Sequence, residues 1–211
     1  MNRSTPSPVE LHTLLGGIDI YLFDQLMKGR LQPGMRVLDA GCGRGRNVRY
    51  LLQAGFDVWA IDQVPEAVEA VREFAARVVP SLPSEQFRVE DLSALSFADT
   101  SFDVVISNAV LHFVANRDEF DTMIAELWRV LRPHGMLFVR LASTIGATFP
   151  VEPLGRGCYR LPDASVRYLV DEKQLIDTTR RLGGELLEPL KTTVVQRQRC
   201  MTTWCLQKAH V

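Results

Sequence analysis

At 211 residues the chain is long enough for one domain with a full core and short for two ordinary ones. Hydrophobic residues at 46% and charged residues at 23% exclude disordered and fibrous classes. A formal charge of −1, from 24 basic against 25 acidic side chains, leaves no electrostatic footprint for a polyanion, so no nucleic-acid partner is expected.

The first eight residues are polar, carry two prolines and are expected to be loose. From Val9 to Leu31 apolar side chains recur at helical spacing, interrupted by Gly16-Gly17 and ended near Gly29, which predicts one helix in two pieces over a cap of residues 1–30. A strand at Arg36–Asp39, a helix over Arg44–Ala54, a strand at Asp57–Ile61 and a helix over Pro65–Val79 follow. Phe87–Glu90 reads as a short strand, Asp103–Ser107 as a buried one and Asp118–Leu131 as a helix. Met136–Ala142 is a further buried strand after the breaker RPHG. This β-α repetition predicts an α/β architecture, a doubly wound and mostly parallel sheet with helices on both faces.

The last third breaks the rhythm. Ser143–Arg167 holds three glycines and three prolines with little periodicity, and reads as a long excursion, within 143–170, that covers one edge of the domain as a lid. Asp171–Leu182 is helical and stops at Gly183-Gly184. Two β-rich runs, Glu185–Val195 and Arg199–Gln207, are separated by so short a link that they form an antiparallel hairpin.

No apolar run nears the ~18–20 residues that span a bilayer, and the opening MNRSTPSPVE lacks the basic-then-apolar order of a signal peptide. The expectations are no membrane partner and a cytoplasmic location. Cys42, Cys158, Cys200 and Cys205 contain no C-x-x-C, so reduced, mostly buried thiols are expected, with no disulfide framework and no metal site. Oligomeric state, monomer or homodimer, is open.

VLDAGCGRGRN, residues 37–47, places three glycines directly behind an apolar strand. Such a turn lets a ligand approach the backbone beside the positive end of a helix. The dinucleotide fingerprint G-x-G-x-x-G would need glycine at position 46, which is Arg46, and this argues against an NAD(P)-dependent oxidoreductase. What stands is D-x-G-x-G-x-G, and an acidic Asp39 at the strand end suits a cofactor bearing an amino group. Asp62 closes the next strand about 20 residues on, where a carboxylate accepts both hydroxyls of a ribose; its other reading is a cap for the helix opening at Pro65.

At these residues the chain resembles the class I S-adenosylmethionine-dependent methyltransferases, and the resemblance runs from Leu22 to Lys208. VLDAGCGRG looks like the family's first motif, AID like its second, VEDLSAL its third and FDVVISNAVLHF its fourth. LRPHGMLFVRLAS looks like the helix-turn-strand unit that follows. The resemblance implies a Rossmann-like, seven-stranded methyltransferase fold with S-adenosylmethionine as cofactor. Gly41, Cys42 and Gly43 would border its methionine part, with Asn47 holding that loop. Asp62, with Gln63 beside it, would take the ribose, Asp91 the adenine amino group and Leu92 the ring face. Asn108 and Ala109 would lie beside the methyl donor. A narrower similarity, carried by GRN after the glycines and by the ending RCMTTWCLQK, is to small bacterial methyltransferases of the tellurite-resistance type.

The implied reaction is in-line displacement at a sulfonium methyl group by a small-molecule acceptor, in which alignment in a dry pocket carries most of the catalysis. A general base matters only for an acceptor protonated at working pH, so the absence of a catalytic triad does not count against an enzyme. His112, just past the fourth strand, is the candidate base, with a packing role as its alternative. Arg140 lies in an apolar strand and reads first as half of a buried ion pair, second as an acceptor contact. Tyr159 and Arg160 in the excursion and Tyr21 in the N-terminal helix are candidate acceptor residues, with Phe23 more a core residue. A cofactor-binding protein without transfer activity is the alternative function. NAVL, residues 108–111, stands where amino-methylating DNA enzymes carry an N-P-P-aromatic tetrad, which discounts that substrate.

Overall fold

Strand β1 (Arg36–Ala40) lies inside the main sheet because both its faces are apolar: Val37 packs into one core layer, Leu38 and Ala40 into the other. The computed structural model describes residues 7–209, and residues 1–6 of the expected loose start lie outside them. β2 (Asp57–Asp62) and β3 (Phe87–Val89) extend the sheet in parallel from one side of β1. β4 (Phe102–Asn108) and then β5 (Leu131–Ser143) extend it in parallel from the other. The chain therefore reverses its direction of growth between β1 and β4. In open α/β sheets the crevice outside the strand ends at such a point is where ligands bind.

Helices cover both faces, as the β-α repetition predicts. α2 (Ile20–Met27), α3 (Val48–Gln53) and α4 (Pro65–Val78) bury Leu22, Leu51 and Val71 against one face. α5 (Arg117–Val130) and α6 (Glu172–Arg181) bury Phe120, Ile124 and Leu175 against the other. Ahead of them α1 (Pro8–Leu15) opens with a capping box: Ser7 Oγ accepts from the Glu10 N–H at 3.3 Å and Glu10 accepts from the Ser7 N–H at 2.7 Å. Asp19 caps α2 by accepting from the Tyr21 N–H at 2.9 Å. The break between the two helices falls at Gly16-Gly17, where the spacing placed it.

The C-terminal strands run antiparallel: β11 (Arg199–Lys208) pairs with β5 on one side and with β10 (Lys191–Val195) on the other. Glu185–Val195 is not one strand, however. It splits into β9 (Gly184–Leu186) and β10, both on the same side of β11; after the Leu187 N–H, which still donates to the Cys205 carbonyl at 3.0 Å, the ladder lapses around Pro189, which has no N–H to give it. The sheet therefore counts eight strands, one more than the family resemblance implies. RPHG also behaves differently: it does not precede the strand but bulges inside β5, where the pairing steps from Phe102–Leu131 to Val104–Met136.

Two further differences concern the site. The helix expected from Arg44 begins only at Val48, so Arg44, Arg46 and Asn47 belong to a longer turn and not to a helical first turn. The excursion after Ser143 holds a small antiparallel sheet of β6 (Glu152–Gly155), β7 (Cys158–Arg160) and β8 (Val166–Tyr168). Strands of three or four residues are too short to show alternation in sequence. Leu161 and Leu169 of this segment pack on Ala142 and Met201 at the end of the main sheet.

Candidate functional site

The turn after β1 is fixed by its backbone. The N–H groups of Gly41 and Cys42 both donate to the Ile61 carbonyl, at 2.8 and 2.9 Å, which holds the turn against β2. Gly41 has φ +84°, and a Cβ there would stand 2.3 Å from Val110 Cγ2, so only glycine lets the turn approach the segment after β4. At Gly43 the reason differs: a Cβ would meet nothing within 4 Å, and the open space is the cavity itself. Gly43 donates its N–H to Asp62 Oδ2 at 2.8 Å. Asp62 Oδ1 accepts from the Val64 N–H at 3.0 Å, at the entry to α4, so the carboxylate ties the glycine turn to the helix start. Asn47 accepts the Asp19 N–H at 3.1 Å and anchors the turn to the N-terminus of α2.

These elements enclose a cavity of about 470 Å³ at the C-terminal ends of β1, β2 and β4. Gly41, Cys42, Gly43, Asn47, Asp62, Gln63, Asp91, Leu92, Asn108 and Ala109 all line it, which brings ten sequence-predicted positions to one place. Asp91 accepts from both the N–H and the hydroxyl of Ser93 at 2.7 Å, and the backbone bond leads in holding its carboxyl below the usual range. The Asn108 side chain is buried with neither amide atom partnered. Ala109 takes φ +63°, a left-handed conformation rare for a residue with a Cβ, and donates its N–H to the Arg140 carbonyl at 2.7 Å.

Asp39 is the exception among the positions predicted to hold the cofactor. It does not line the cavity: it is 1% exposed and neither carboxylate oxygen has a hydrogen-bond partner. Burial pushes its carboxyl up to about 7, against the pull of the Arg46 charge and with the Asp62 charge adding to the rise. Sequence reasoning also missed wall residues contributed by the segment after β4 and by α5, Val110, Phe113, Glu119 and Met123.

Residues 38–139 match a family model described as a methyltransferase domain. A SAM-dependent methyltransferase structure from Methanosarcina mazei superposes with a TM-score of 0.71 at 26% identity, covering 88% of this chain and 98% of that one. The matched stretch is a methyltransferase domain, and the chain is similar in structure to a SAM-dependent methyltransferase. Among curated relatives, the uncharacterized methyltransferase YodH of Bacillus subtilis (strain 168) is 33% identical over 112 residues, 53% of this chain and 45% of that protein. The 2-methyl-6-phytyl-1,4-hydroquinone methyltransferase of Synechocystis sp. is 39% identical over 110 residues, 52% of this chain and 32% of that protein. The matches thus span a third to just under half of those relatives' length.

Beside the first cavity of the methyltransferase domain lies a second, of about 280 Å³, which shares Arg46, Ala109 and Phe113 with it. His112 faces this one. It is buried, and its Nδ1 accepts the Ala142 N–H at 3.2 Å. Burial first, then the charges of Arg167, Arg199 and Arg140, lower it to about 4. A neutral imidazole that accepts at Nδ1 carries its proton on Nε2. His112 is therefore built as a donor at Nε2, and gaining a proton at Nδ1 would break the Ala142 bond.

Arg140 forms the buried ion pair expected first for it. It pairs with the buried Asp19 at 3.3 Å, stands over the Tyr21 ring at 5.1 Å and lines the second cavity. Tyr21 itself hydrogen-bonds Thr193 and lines neither cavity. Phe23 is partly buried and packs edge-on against Tyr50 of α3. Tyr159 packs against the Leu161–Met201 cluster, and Arg160 pairs with Glu152 at 3.1 Å, so neither is brought to a cavity wall. In their place stand Arg167 and Arg199, which sequence reasoning overlooked. A signal for Arg199 existed: a strand antiparallel to β5 begins where β5 ends, and that puts Arg199 at the sheet end that carries Arg140.

The thiol expectation holds among the described residues: all four cysteines are free, and only Cys158 is not buried. No helix of the described residues is long and apolar enough to cross a membrane, and no group of metal-ligating side chains is found among them.

Proposed function

We propose that the protein is an S-adenosylmethionine-dependent methyltransferase acting on a small-molecule acceptor. The observation that carries this reading is the first cavity, where Gly43, Asp62, Asp91, Leu92 and Asn108 converge from four strand ends and the turns after them at the point where the sheet reverses its growth. Its chemistry fits the cofactor. The unpartnered Asn108 amide awaits polar partners, and the space over Gly43 admits a ligand against the backbone.

Asp62 keeps acceptor capacity on both oxygens for a diol, since each takes only one backbone N–H. Asp91 holds one oxygen through Ser93 and leaves the other for an amino group, with Leu92 as the apolar surface beside it. When bound, the cofactor supplies an electrophilic methyl group whose carbon–sulfur bond breaks, the electron pair staying on sulfur, as an acceptor lone pair bonds the carbon. The chain's part is to orient. Ala109 and Phe113, common to both cavities, mark where acceptor and donor meet, and the lid segment with Leu161 and Arg167 covers the acceptor side. Where the acceptor is an acid whose nucleophile is already deprotonated, no base is required, consistent with His112 as a donor.

A thermal-shift titration with S-adenosylhomocysteine tests the first half of this reading, followed by methyl transfer to a panel of thiol, amine, hydroxyl and chalcogenite acceptors. The chalcogenite arm answers the narrower tellurite-type resemblance. A raised melting temperature with turnover of at least one acceptor is expected. Binding without turnover across the panel would favour a cofactor-binding protein, and no shift at all would end the reading.

A further inference from the structure

Four guanidinium groups converge on the second cavity from four separate elements: Arg46 from the glycine turn, Arg140 from β5, Arg167 from β8 and Arg199 from the start of β11. Among the described residues no carboxylate lines it. The neighbouring acids offset only part of the charge. Asp19 serves both Arg46 and Arg140 at 3.3 Å, and Asp163 stands 3.5 Å from Arg199. Among the described residues Arg167 forms no salt bridge, feels Asp163 only at longer range, and stacks over the exposed Phe113 ring at 4.6 Å.

The donors are also under-used. Each of the four guanidiniums makes a hydrogen bond through a single nitrogen: Arg46 and Arg140 to Asp19, Arg167 to the Val166 carbonyl and Arg199 to Asp163. Arg140 Nε is buried with no partner at all. Like charges gathered on one wall, with the buried Arg140 Nε unpartnered, favour an anion that completes their hydrogen bonds, and guanidinium is the side chain whose fork matches a carboxylate or phosphate. His112 adds a neutral donor to the same wall. Opposite these groups the lining is apolar, from Leu161, Val195 and Met201.

We propose that the second cavity seats the oxyanion, carboxylate or phosphate, of a small organic acid that is the methyl acceptor, its apolar body lying against Leu161 and Met201 and its nucleophile directed toward Ala109. This rests on the methyltransferase reading above. The volume of about 280 Å³ suits a single small ring or short chain and is too small for a polymer segment.

The test is calorimetric titration of the full chain saturated with S-adenosylhomocysteine, using benzoate, phenyl phosphate, neutral benzamide and inorganic phosphate as probes. At least one organic acid should bind about tenfold or more tightly than benzamide, and which one does so distinguishes carboxylate from phosphate. Arg167→Gln and Arg199→Gln should each weaken that acid severalfold without changing S-adenosylhomocysteine affinity, and Arg167→Lys should restore part of the loss. The two substitutions lie on different strands, so the result does not depend on the folding of either variant alone. Equal binding of benzamide, unchanged acid affinity in the folded variants, or binding of inorganic phosphate alone would overturn the proposal while leaving the methyltransferase reading intact. Failure of S-adenosylhomocysteine to bind would overturn both.

Discussion

The two adjoining cavities are built by opposite means. The first is assembled from loops that follow successive parallel strands, uses backbone groups and carboxylates, and lies almost wholly within residues 38–139, the span of the family match. The second is assembled from side chains of distant elements, is cationic, and draws Leu161, Arg167, Val195, Arg199 and Met201 from beyond that span. A cofactor common to a family is held by what the shared core supplies, whereas selection of an acceptor falls to the parts each chain adds.

The sharpest way to break the first cavity is through its backbone. Gly41→Ala places a Cβ 2.3 Å from Val110 Cγ2 at φ +84°. Overpacking and the left-handed conformation together are expected to lower stability by about 2–4 kcal/mol. Chemical denaturation measures it. Val110→Ala in the same chain should recover the steric part and leave the backbone part, and full recovery would show that the turn tolerates any residue.

Asp62→Ala acts on the ligand with less effect on the fold. Loss of charge-assisted bonds worth roughly 1.5–3 kcal/mol should weaken S-adenosylhomocysteine by an order of magnitude or more. Binding of an organic acid in the second cavity should be unaffected in the presence of saturating S-adenosylhomocysteine. An unaltered affinity in a folded variant would return Asp62 to its role of tying the turn to α4.

How much of this was legible in sequence follows the same division. Asp62 was located by its spacing from the glycines, and Asp91 and Asn108 by the family resemblance; each ends or follows a strand of a parallel sheet, where positions face one crevice. Asp39 shows the limit of that reasoning: alternation along β1 turned its side chain under the glycine turn, where it is buried and unpartnered. Tyr159 and Arg160 were sought in the right segment, but its strands are three or four residues long. Which residue of so short a strand faces inward is decided by contacts with Ala142 and Met201, which no local pattern encodes. The eighth strand was hidden for a related reason, since a three-residue strand next to Pro189 reads as part of its neighbour.

Asp39, buried behind the first cavity, and His112, in the wall of the second, differ in the sign of their pH dependence. Asp39 has its carboxyl raised from 3.8 to about 7, so the folded chain holds a proton there that the unfolded chain has lost. Its contribution to stability is fully present below about 4 and is lost as pH rises through 7. His112 is lowered from 6.5 to about 4, so the unfolded chain binds the extra proton and the contribution is present above 6.5 and lost as pH falls toward 4. Measured against wild type, Asp39→Asn should become increasingly favourable from pH 4 to 8, and His112→Gln increasingly favourable from pH 7 down to 4.5. Each trend is expected to amount to about 1–3 kcal/mol in denaturation series. Parallel trends in the two variants would show that one of the two groups is not buried in the form described.

The smallest effect is a spectroscopic one, and it separates a donor from a base at the acceptor cavity. With Nδ1 accepting from the Ala142 N–H, the His112 ring should show the Nε2–H tautomer in nitrogen-15 spectra, with no change of state between pH 5 and 8. Addition of benzoate to the S-adenosylhomocysteine complex should then move the Nε2–H resonance without a change of tautomer, because an oxyanion accepts the proton's hydrogen bond and does not take the proton. A switch to the Nδ1–H form would place a proton acceptor in the second cavity, and His112 would resume the role of general base for an acceptor that carries its own proton.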